Sequence, residues 1–520
     1  MTSNAGWWYL DRHLGGPAAD APCLITEDGE LTYRALHLSV CRAARVLTEA
    51  GVGAGERVVL VLNDSATFVA GVLAAMRVGA VPVPVSPMLT PAEQRHVVAD
   101  SGARAVVVED AASESARALA DGFPDVLMWS AGPAGGTVRG LTEDMAHSTP
   151  LESVAARAPE DPAVIQYTSG STGLPKGVVH RHGALLAFPE GFGGHLRITP
   201  QDRFLSTAKL PFGYGFGNSL LLPFSVGASA VLFRGRAEPH AVAALIARTR
   251  PTLLFAVPTL YAALLSLAEA AERPDFSTVR LAVSAGEHLG ARLSTRLTEV
   301  FGLTVVNGLG ATECLHIVLA SEPGVSPPGA TGVPVPGVEA EVCDDEGRVL
   351  DDGGTGRLRV RGPGVADCYW NAPDLSAGTF QDGWVYTGDT MRHDPEQGWL
   401  YLGRTDNILN VGGMKILPSE VEDAILGVPG VDACAVVGVP DEDDIVRIVA
   451  HVVPAAHTAD TADAADGLTG RILAALRTEL QPFKRPRTIR LVDALPTTST
   501  GKTARFVIRQ REQRERERQP

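Results

Sequence analysis

Between Arg57 and about residue 400, short β-rich apolar runs alternate with longer stretches in which Ala and Leu recur at helical spacing. "RVVLVL" (Arg57–Leu62) predicts a strand, "ATFVAGVLAAMRVGA" a helix after it, and "VPVPVS" the next strand. "ARAVVVED", "PAVIQYTSG", "SAVLF", "PTLLFAVP" and "VRLAVSAGE" are further strand signals, separated by helical stretches. Nearly continuous apolar strands joined through helices predict an α/β fold with largely parallel, buried strands. "GRLRVRGP" (Gly356–Pro363) instead alternates with period two, the pattern of a half-exposed antiparallel strand.

The pattern changes at "YLGRTDNILNVGGMKILPSEVE" (Tyr401–Glu422). After it come a helical stretch, the strand "DACAVVGVPD", an Ala/Asp/Thr-rich segment (Ala455–Gly467) read as a surface loop, another helix and a strand near Thr488–Val492. This predicts a small α+β domain, with residues 1–405 forming a larger N-terminal domain, residues 406–520 a C-terminal one, and the boundary near Asp406. The tail "RQREQRERERQP" mixes both charge signs and reads as a solvated or frayed helix end.

Length and composition agree with two or more packed cores: 520 residues, 45% hydrophobic and 20% charged. A net charge of −15 argues against nucleic acid or an anionic membrane as the main partner. The cysteines at 23, 41, 314, 343, 368 and 434 are scattered, which predicts neither a disulfide framework nor a structural zinc site. "MTSNAGWWYLDRHLGG" lacks a basic start followed by an apolar core. The longest apolar stretch, Leu220–Phe233, is broken by Pro223 and Gly227. The expectation is a cytoplasmic protein that does not enter a membrane.

One stretch carries chemistry. "YTSGSTGLPKG" (Tyr167–Gly177) concentrates glycines, hydroxyls and Lys176, the make-up of a loop whose backbone N–H groups converge on phosphate oxygens. Its position, after the strand "AVIQY" and ahead of a helical stretch starting near His182, suits that use. It is not a Walker A loop, because that spacing from Gly170 would need glycine where Pro175 stands. "GYGFGN" (Gly213–Asn218) superficially suggests a dinucleotide fingerprint, but it lacks the third glycine at the required spacing and a following acidic ribose ligand.

"YTSGSTGLPKG" resembles the phosphate loop of the adenylate-forming superfamily, which includes acyl- and aryl-CoA synthetases, carrier-protein adenylation domains and luciferases. The superfamily's other signatures follow in order: "GLGATE" (Gly308–Glu313), "GWVYTGD" (Gly383–Asp389), "GRTDNILNVGGMKILPSEVE", and "PTTSTGKTAR" (Pro496–Arg505). Within it, "YLDRHLGG", "AKLPFGYGFGNSLLLPFSVGAS", "SAGEHL" and "ATECLHIVLASEPG" most resemble benzoate-CoA ligases. The implied fold is a large N-terminal adenylate-forming domain of mixed sheets and helices plus a small mobile C-terminal one. The implied cofactors are ATP, Mg2+ and coenzyme A.

The resemblance implies roles residue by residue. Lys502 would bridge the substrate carboxylate and the α-phosphate. Thr168, Ser169, Gly170, Ser171, Thr172 and Gly173, with Lys176, would hold the β- and γ-phosphates. Thr312 would touch the α-phosphate and Glu313 the Mg2+, a hard cation that prefers carboxylate oxygen. Asp389, assisted by Arg404, would bind the ribose hydroxyls. Asn307, Gly308 and the Gly286–Glu287 turn would frame adenine, with Leu309 where many relatives have a stacking tyrosine. Phe212, Gly213, Tyr214, Ala285, Gly310, His316 and Ile317 would form a flat slot for one aromatic ring, with Tyr214 and His316 as polar handles. Asp406 would be the pivot of the C-terminal domain between half-reactions. Gly412, Gly413 and Lys415 would then approach the thiol entry. The expected partners are a small aromatic carboxylic acid and coenzyme A. A carrier-protein phosphopantetheine or another nucleophile is the alternative acceptor, and the oligomeric state stays open between monomer and homodimer.

Overall fold

A computed structural model describes residues 3–169, 174–269, 273–411, 414–440, 446–455, 462–497 and 503–517. The predicted alternation is realised as two sheets with parallel centres. One has five parallel strands in the order Val81–Val85, Arg57–Val61, Ala105–Val108, Leu127–Ser130, Arg139–Gly140. The other has nine strands. Its inner run of Val305–Gly310, Leu281–Ala285, Leu253–Ala256, Arg203–Ser206, Ser229–Val231 and Pro22–Thr26 pairs in parallel, with antiparallel strands at both edges. Strands buried on both faces feed two cores at once: Val58 and Leu60 enter the central cluster, while Val59 and Val61 enter a second. This is why their sequence reads as a continuous apolar run.

The period-two segment is strand Thr355–Arg361, antiparallel to Glu339–Cys343 and Trp384–Asp394. Leu358 and Val360 are buried, while Arg357, Arg359 and Arg361 face outward onto aromatic rings and acidic partners.

Around the phosphate-loop segment the expected strand and the helix from His182 are both present, with a second strand between them. Pro162–Ser169 and Pro175–Arg181 form an antiparallel hairpin, and helix His182–Phe188 starts only after its second strand. Pro175 is tolerated because it is the strand's first residue. Gly177 is required by close approach, since a Cβ there would lie 2.8 Å from Ile165 Cγ2.

In the C-terminal part, Val431–Pro440 pairs antiparallel with Val446–Pro454, which pairs in parallel with Thr488–Leu491. Helices Pro418–Leu426 and Ala462–Glu479 share a core with this sheet through Val421, Ile425, Leu468 and Ile472. That second helix begins inside Ala455–Gly467, so its last residues are not loop. Alanine's helix propensity outweighs the low complexity there. The charged tail is likewise anchored: in helix Arg505–Glu517, Ile508 is buried and Glu512, 2% exposed, meets His451 at 2.9 Å and Arg490 at 3.0 Å. Among the described residues no helix is long and apolar enough to cross a membrane.

Candidate active site

At the mouth of the hairpin, Thr168 and Lys176 stand directly opposite one another in register. Gly170, Ser171, Thr172 and Gly173 lie outside the described residues, as do Gly412, Gly413 and Lys502 and the side chains of Ser169, Asp406 and Lys415. Tyr167 ties the hairpin base down by donating to Asp100 at 2.5 Å.

Lys176 does not project into solvent. Its Nζ donates to the Tyr369 hydroxyl at 2.8 Å and lies 3.6 Å from Glu313 Oε1, and the Tyr369 hydroxyl in turn donates to that same carboxylate. The predicted phosphate lysine and the predicted metal carboxylate are thus joined through one phenol. Burial, with Glu313 beside it, keeps that phenol protonated. Tyr369 comes from strand Cys368–Tyr369, which pairs with Val178–Val179. Nothing in "VADCYWN" signals this role, because its partners are brought together only by the fold.

Glu313 and Thr312 occupy a short 3-10 turn, Thr312–Cys314, at the end of strand Val305–Gly310. No cluster of three metal-ligating side chains exists among the described residues. One carboxylate beside Lys176 nevertheless fits Mg2+, which is usually held by one or two carboxylates plus substrate phosphates and water. The next residue but one, Leu315, has φ of 66° and ψ of −45°, with His316 N donating to Cys314 O at 2.8 Å. This is the strained form of γ-turn, rare for a residue with a side chain. It reverses the chain at once into strand Ile317–Ala320, so Gly310 pairs with Ile317.

On the other side, Asp389 is buried and pairs in register with Arg404, whose Nη1 lies 3.4 Å from its carboxylate and donates to Thr387 O at 2.8 Å. Gly388, at φ of 75°, turns the chain against the Arg404 guanidinium. Asn307 and Gly308 sit beside Ser284 and Ala285 across parallel strands. Asn307 Nδ2 is already engaged by Ala330 O at 3.2 Å. The Gly286 turn, φ of 88°, ends strand Leu281–Ala285 and presents Glu287.

The carboxylate of Glu287 has protein partners. Its Oε2 accepts from Thr259 at 2.6 Å, and its Oε1 accepts the backbone N–H of Thr503, 216 residues later, at 3.0 Å. The adjoining surface meets the C-terminal part as well: His288 faces Asp423 at 3.3 Å and Arg292 donates to Leu426 O at 2.8 Å.

The predicted slot residues are brought together. Ala285 faces Gly308 in register, Gly310 faces Ile317, and the Tyr214 ring lies 5.4 Å from that of His316. Phe212 is the N-cap of the short helix Gly213–Phe216. The glycines of "GYGFG" serve close packing rather than phosphate binding: a Cβ at Gly215 would be 2.1 Å from Lys209 O, and one at Gly217 2.2 Å from His316 Cδ2. Phe188 and Phe192 close the far side of the imidazole, at 5.0 and 5.3 Å.

The two expected polar handles are not equivalent. The Tyr214 hydroxyl donates to Val283 O at 3.3 Å. His316 Nε2 faces two oxygens, Asn218 Oδ1 at 3.1 Å and Tyr214 O at 3.2 Å, so it carries the ring proton. This leaves Nδ1 as a buried acceptor without a partner among the described residues. Gln166 and His180, on the hairpin behind, are also buried with unpartnered side-chain atoms. The Gln166 amide oxygen lies 3.3 Å from where a Gly213 Cβ would be. Sequence reading missed both, because neither belongs to a motif.

Burial drives the imidazoles of His180 and His182 down to about 4, and that of His316 to about 3. In the unfolded chain they titrate near 6.5, so below that pH the unfolded state binds more protons and stability falls with acidification. Asp64, raised to about 6 by burial, opposes this between roughly pH 4 and 6, one group against three. His37, raised to about 9 by the Asp11 carboxylate and Cys41, contributes stability that is present below about 6.5 and lost as pH rises through 9. The melting temperature, followed by circular dichroism at constant ionic strength, should peak near neutrality and drop toward pH 5. A steady rise from pH 7 to 5 would contradict the neutral-histidine core.

The sequence matches the family model of AMP-binding enzymes over residues 10–370 and that of the AMP-binding enzyme C-terminal domain over residues 420–502. It is 34% identical over 509 residues to the 3-hydroxybenzoate–CoA ligase of Aromatoleum sp. (strain CIB), covering 96% of each chain. Against the benzoate–CoA ligase of Thauera aromatica it is 34% identical over 511 residues, covering 97% of this chain and 95% of that one. The crystal structure of the anthranilate CoA ligase AuaEII in complex with anthranoyl-AMP superposes with a TM-score of 0.92 at 32% identity, covering 98% and 97% of the two chains.

Proposed function

This chain belongs to the AMP-binding enzyme family, and on that premise we propose that it is an ATP-dependent aryl-CoA ligase. In the first half-reaction an oxygen of an aromatic carboxylate attacks the α-phosphorus of ATP, and pyrophosphate leaves. In the second, the sulfur of coenzyme A attacks the acyl carbon and AMP leaves. A carboxylate is already ionised at neutral pH, so the first step needs no general base. Its difficulty is uniting two anions, which calls for cations and fixed donors.

The observation that carries this reading is the adjacency of two unlike environments across one strained turn. On one side are Lys176, Tyr369, Glu313 and Thr312; on the other is the aromatic slot of Tyr214, His316, Ala285, Gly310 and Ile317. Lys176 and the hairpin tip would hold the β- and γ-phosphates, Thr312 the α-phosphate, and Asp389 with Arg404 the ribose. Glu313 would hold Mg2+, whose charge offsets that of the phosphates. Lys502 would meet the carboxylate and the α-phosphate. Residues 1–405 and 406–520 would act as body and lid, with Asp406 the pivot and Gly412, Gly413 and Lys415 lining the thiol approach. The relatives' names, which specify benzoate and 3-hydroxybenzoate, support a single aromatic ring as the acyl group.

Pyrophosphate exchange across benzoate, its hydroxy- and amino-substituted relatives and heteroaryl acids tests the acyl half. Thioester formation with free coenzyme A tests the acceptor. Saturable turnover with coenzyme A and a benzoate is expected. Exchange without coenzyme A turnover would assign the acyl group to a carrier protein or another nucleophile.

A further inference from the structure

Glu287 stands where the resemblance implies an adenine contact, yet both of its oxygens are engaged by protein. Thr259, at the start of helix Pro258–Glu269, holds Oε2 at 2.6 Å. Fixed in this way, Oε1 accepts the N–H of Thr503 at 3.0 Å. A carboxylate accepting from a backbone N–H is a charge-assisted hydrogen bond, among the stronger kinds. Its direction is set by the positive-φ turn at Gly286, which lifts Glu287 off the end of strand Leu281–Ala285. Thr503 is also the residue that follows Lys502 in sequence, and its own segment is braced by a bridge to Thr497 and by Ala504 N donating to Pro496 O.

We propose that Glu287 is a positioning residue for acid activation: its carboxylate, braced by Thr259, docks the backbone of Thr503 and so registers the C-terminal segment over the active site for the first half-reaction only. This rests on the ligase reading above, in which the C-terminal part turns between half-reactions. Two neighbouring contacts join the same surface to the C-terminal part. His288 to Asp423 and Arg292 to Leu426 O end on helix Pro418–Leu426 rather than on Thr503. Of these three hydrogen bonds, that of Glu287 is the one that ends in the segment carrying the lysine motif. Its contact must break when the C-terminal part turns, so it contributes nothing to thioester formation.

The test measures each half-reaction separately on the full-length enzyme. Glu287→Ala should lower kcat for benzoate-dependent pyrophosphate exchange by roughly 10- to 100-fold, the range for losing a hydrogen bond to a charged group. ATP affinity by calorimetry should stay unchanged, and thiolation of synthetic benzoyl-AMP by coenzyme A should run at the parent rate or faster. Glu287→Gln keeps a carbonyl acceptor at the same reach and should recover most of the exchange rate. Thr503→Pro deletes the donor N–H; combined with Glu287→Ala it should cost no more than either change alone. A weakened ATP affinity with kcat preserved would make Glu287 a nucleotide ligand and overturn the proposal. Equal losses in both half-reactions, or additive losses in the double variant, would overturn it as well. Lys502→Ala, run in parallel, separates this from the parent reading: if that variant keeps full exchange activity, the ligase assignment of the lysine motif has failed instead.

Discussion

Lys502→Ala is expected to cut pyrophosphate exchange by about 10²–10³-fold while leaving thiolation of a pre-formed aryl-AMP at the parent rate. The magnitude is that of removing one preorganised group aimed at developing charge in a transition state. The chain's other cations do not readily substitute. Lys176 is tied to Tyr369 and Glu313 at the proposed phosphate end, and Arg404 to Thr387 and Asp389 at the proposed ribose end. Both are held by these protein partners. Stopped-flow release of pyrophosphate and single-turnover acyl transfer from synthetic aryl-AMP would report the two steps independently. Equal loss in both would mean that the lysine stays in place throughout, and the turning of the C-terminal part would have to be abandoned.

Much of this was legible along the chain because the determinants are local. Apolar strands buried on both faces, such as Arg57–Val61 and Leu281–Ala285, announce themselves as uninterrupted runs, and the outward arginines of Thr355–Arg361 announce a half-exposed strand. Slot residues could be named because each belongs to a quoted motif, and the sheet register then brings Ala285 beside Gly308 and Gly310 beside Ile317.

What stayed hidden depends on partners distant in sequence or on backbone detail. "PKGVVHR" opens with proline and glycine, the usual signs of a loop, yet it is the second strand of the hairpin because Gly177 admits Ile165 at close range. Tyr369 is one tyrosine among eight until the fold sets it between Lys176 and Glu313. No pattern marks Leu315 as a positive-φ residue, although that turn is what lets His316 follow Glu313 so closely. The protein partner of the Glu287 carboxylate was equally hidden, because Thr503 arrives from the far end of the chain.

Ala285→Leu should raise KM for benzoates by roughly 5- to 150-fold with little change in KM for ATP, the span expected if overpacking costs about 1–3 kcal/mol. Ala285 is 3% exposed and ends the strand that runs beside Val305–Gly310, so an isobutyl group there must overpack its surroundings, the proposed slot among them. Gly217→Ala attacks the same slot from behind. Its Cβ would stand 2.2 Å from His316 Cδ2, so the imidazole must move toward Tyr214, Phe188 or Phe192, which already pack around it. That shift disturbs His316 Nδ1, the buried acceptor left over once Nε2 has satisfied Asn218 and Tyr214. The consequence should be selective: acids bearing a hydroxyl or amino donor should lose more turnover than unsubstituted benzoate. The proposed slot, walled by packed rings, would suit one planar ring better than a long flexible chain. In pyrophosphate exchange, benzoate and its substituted relatives should therefore outcompete C6–C12 fatty acids in the parent enzyme, and both substitutions should narrow that margin. Preference of the parent for the fatty acids would refute the aryl slot while leaving the adenylation chemistry of Glu313, Lys176 and Asp389 untouched.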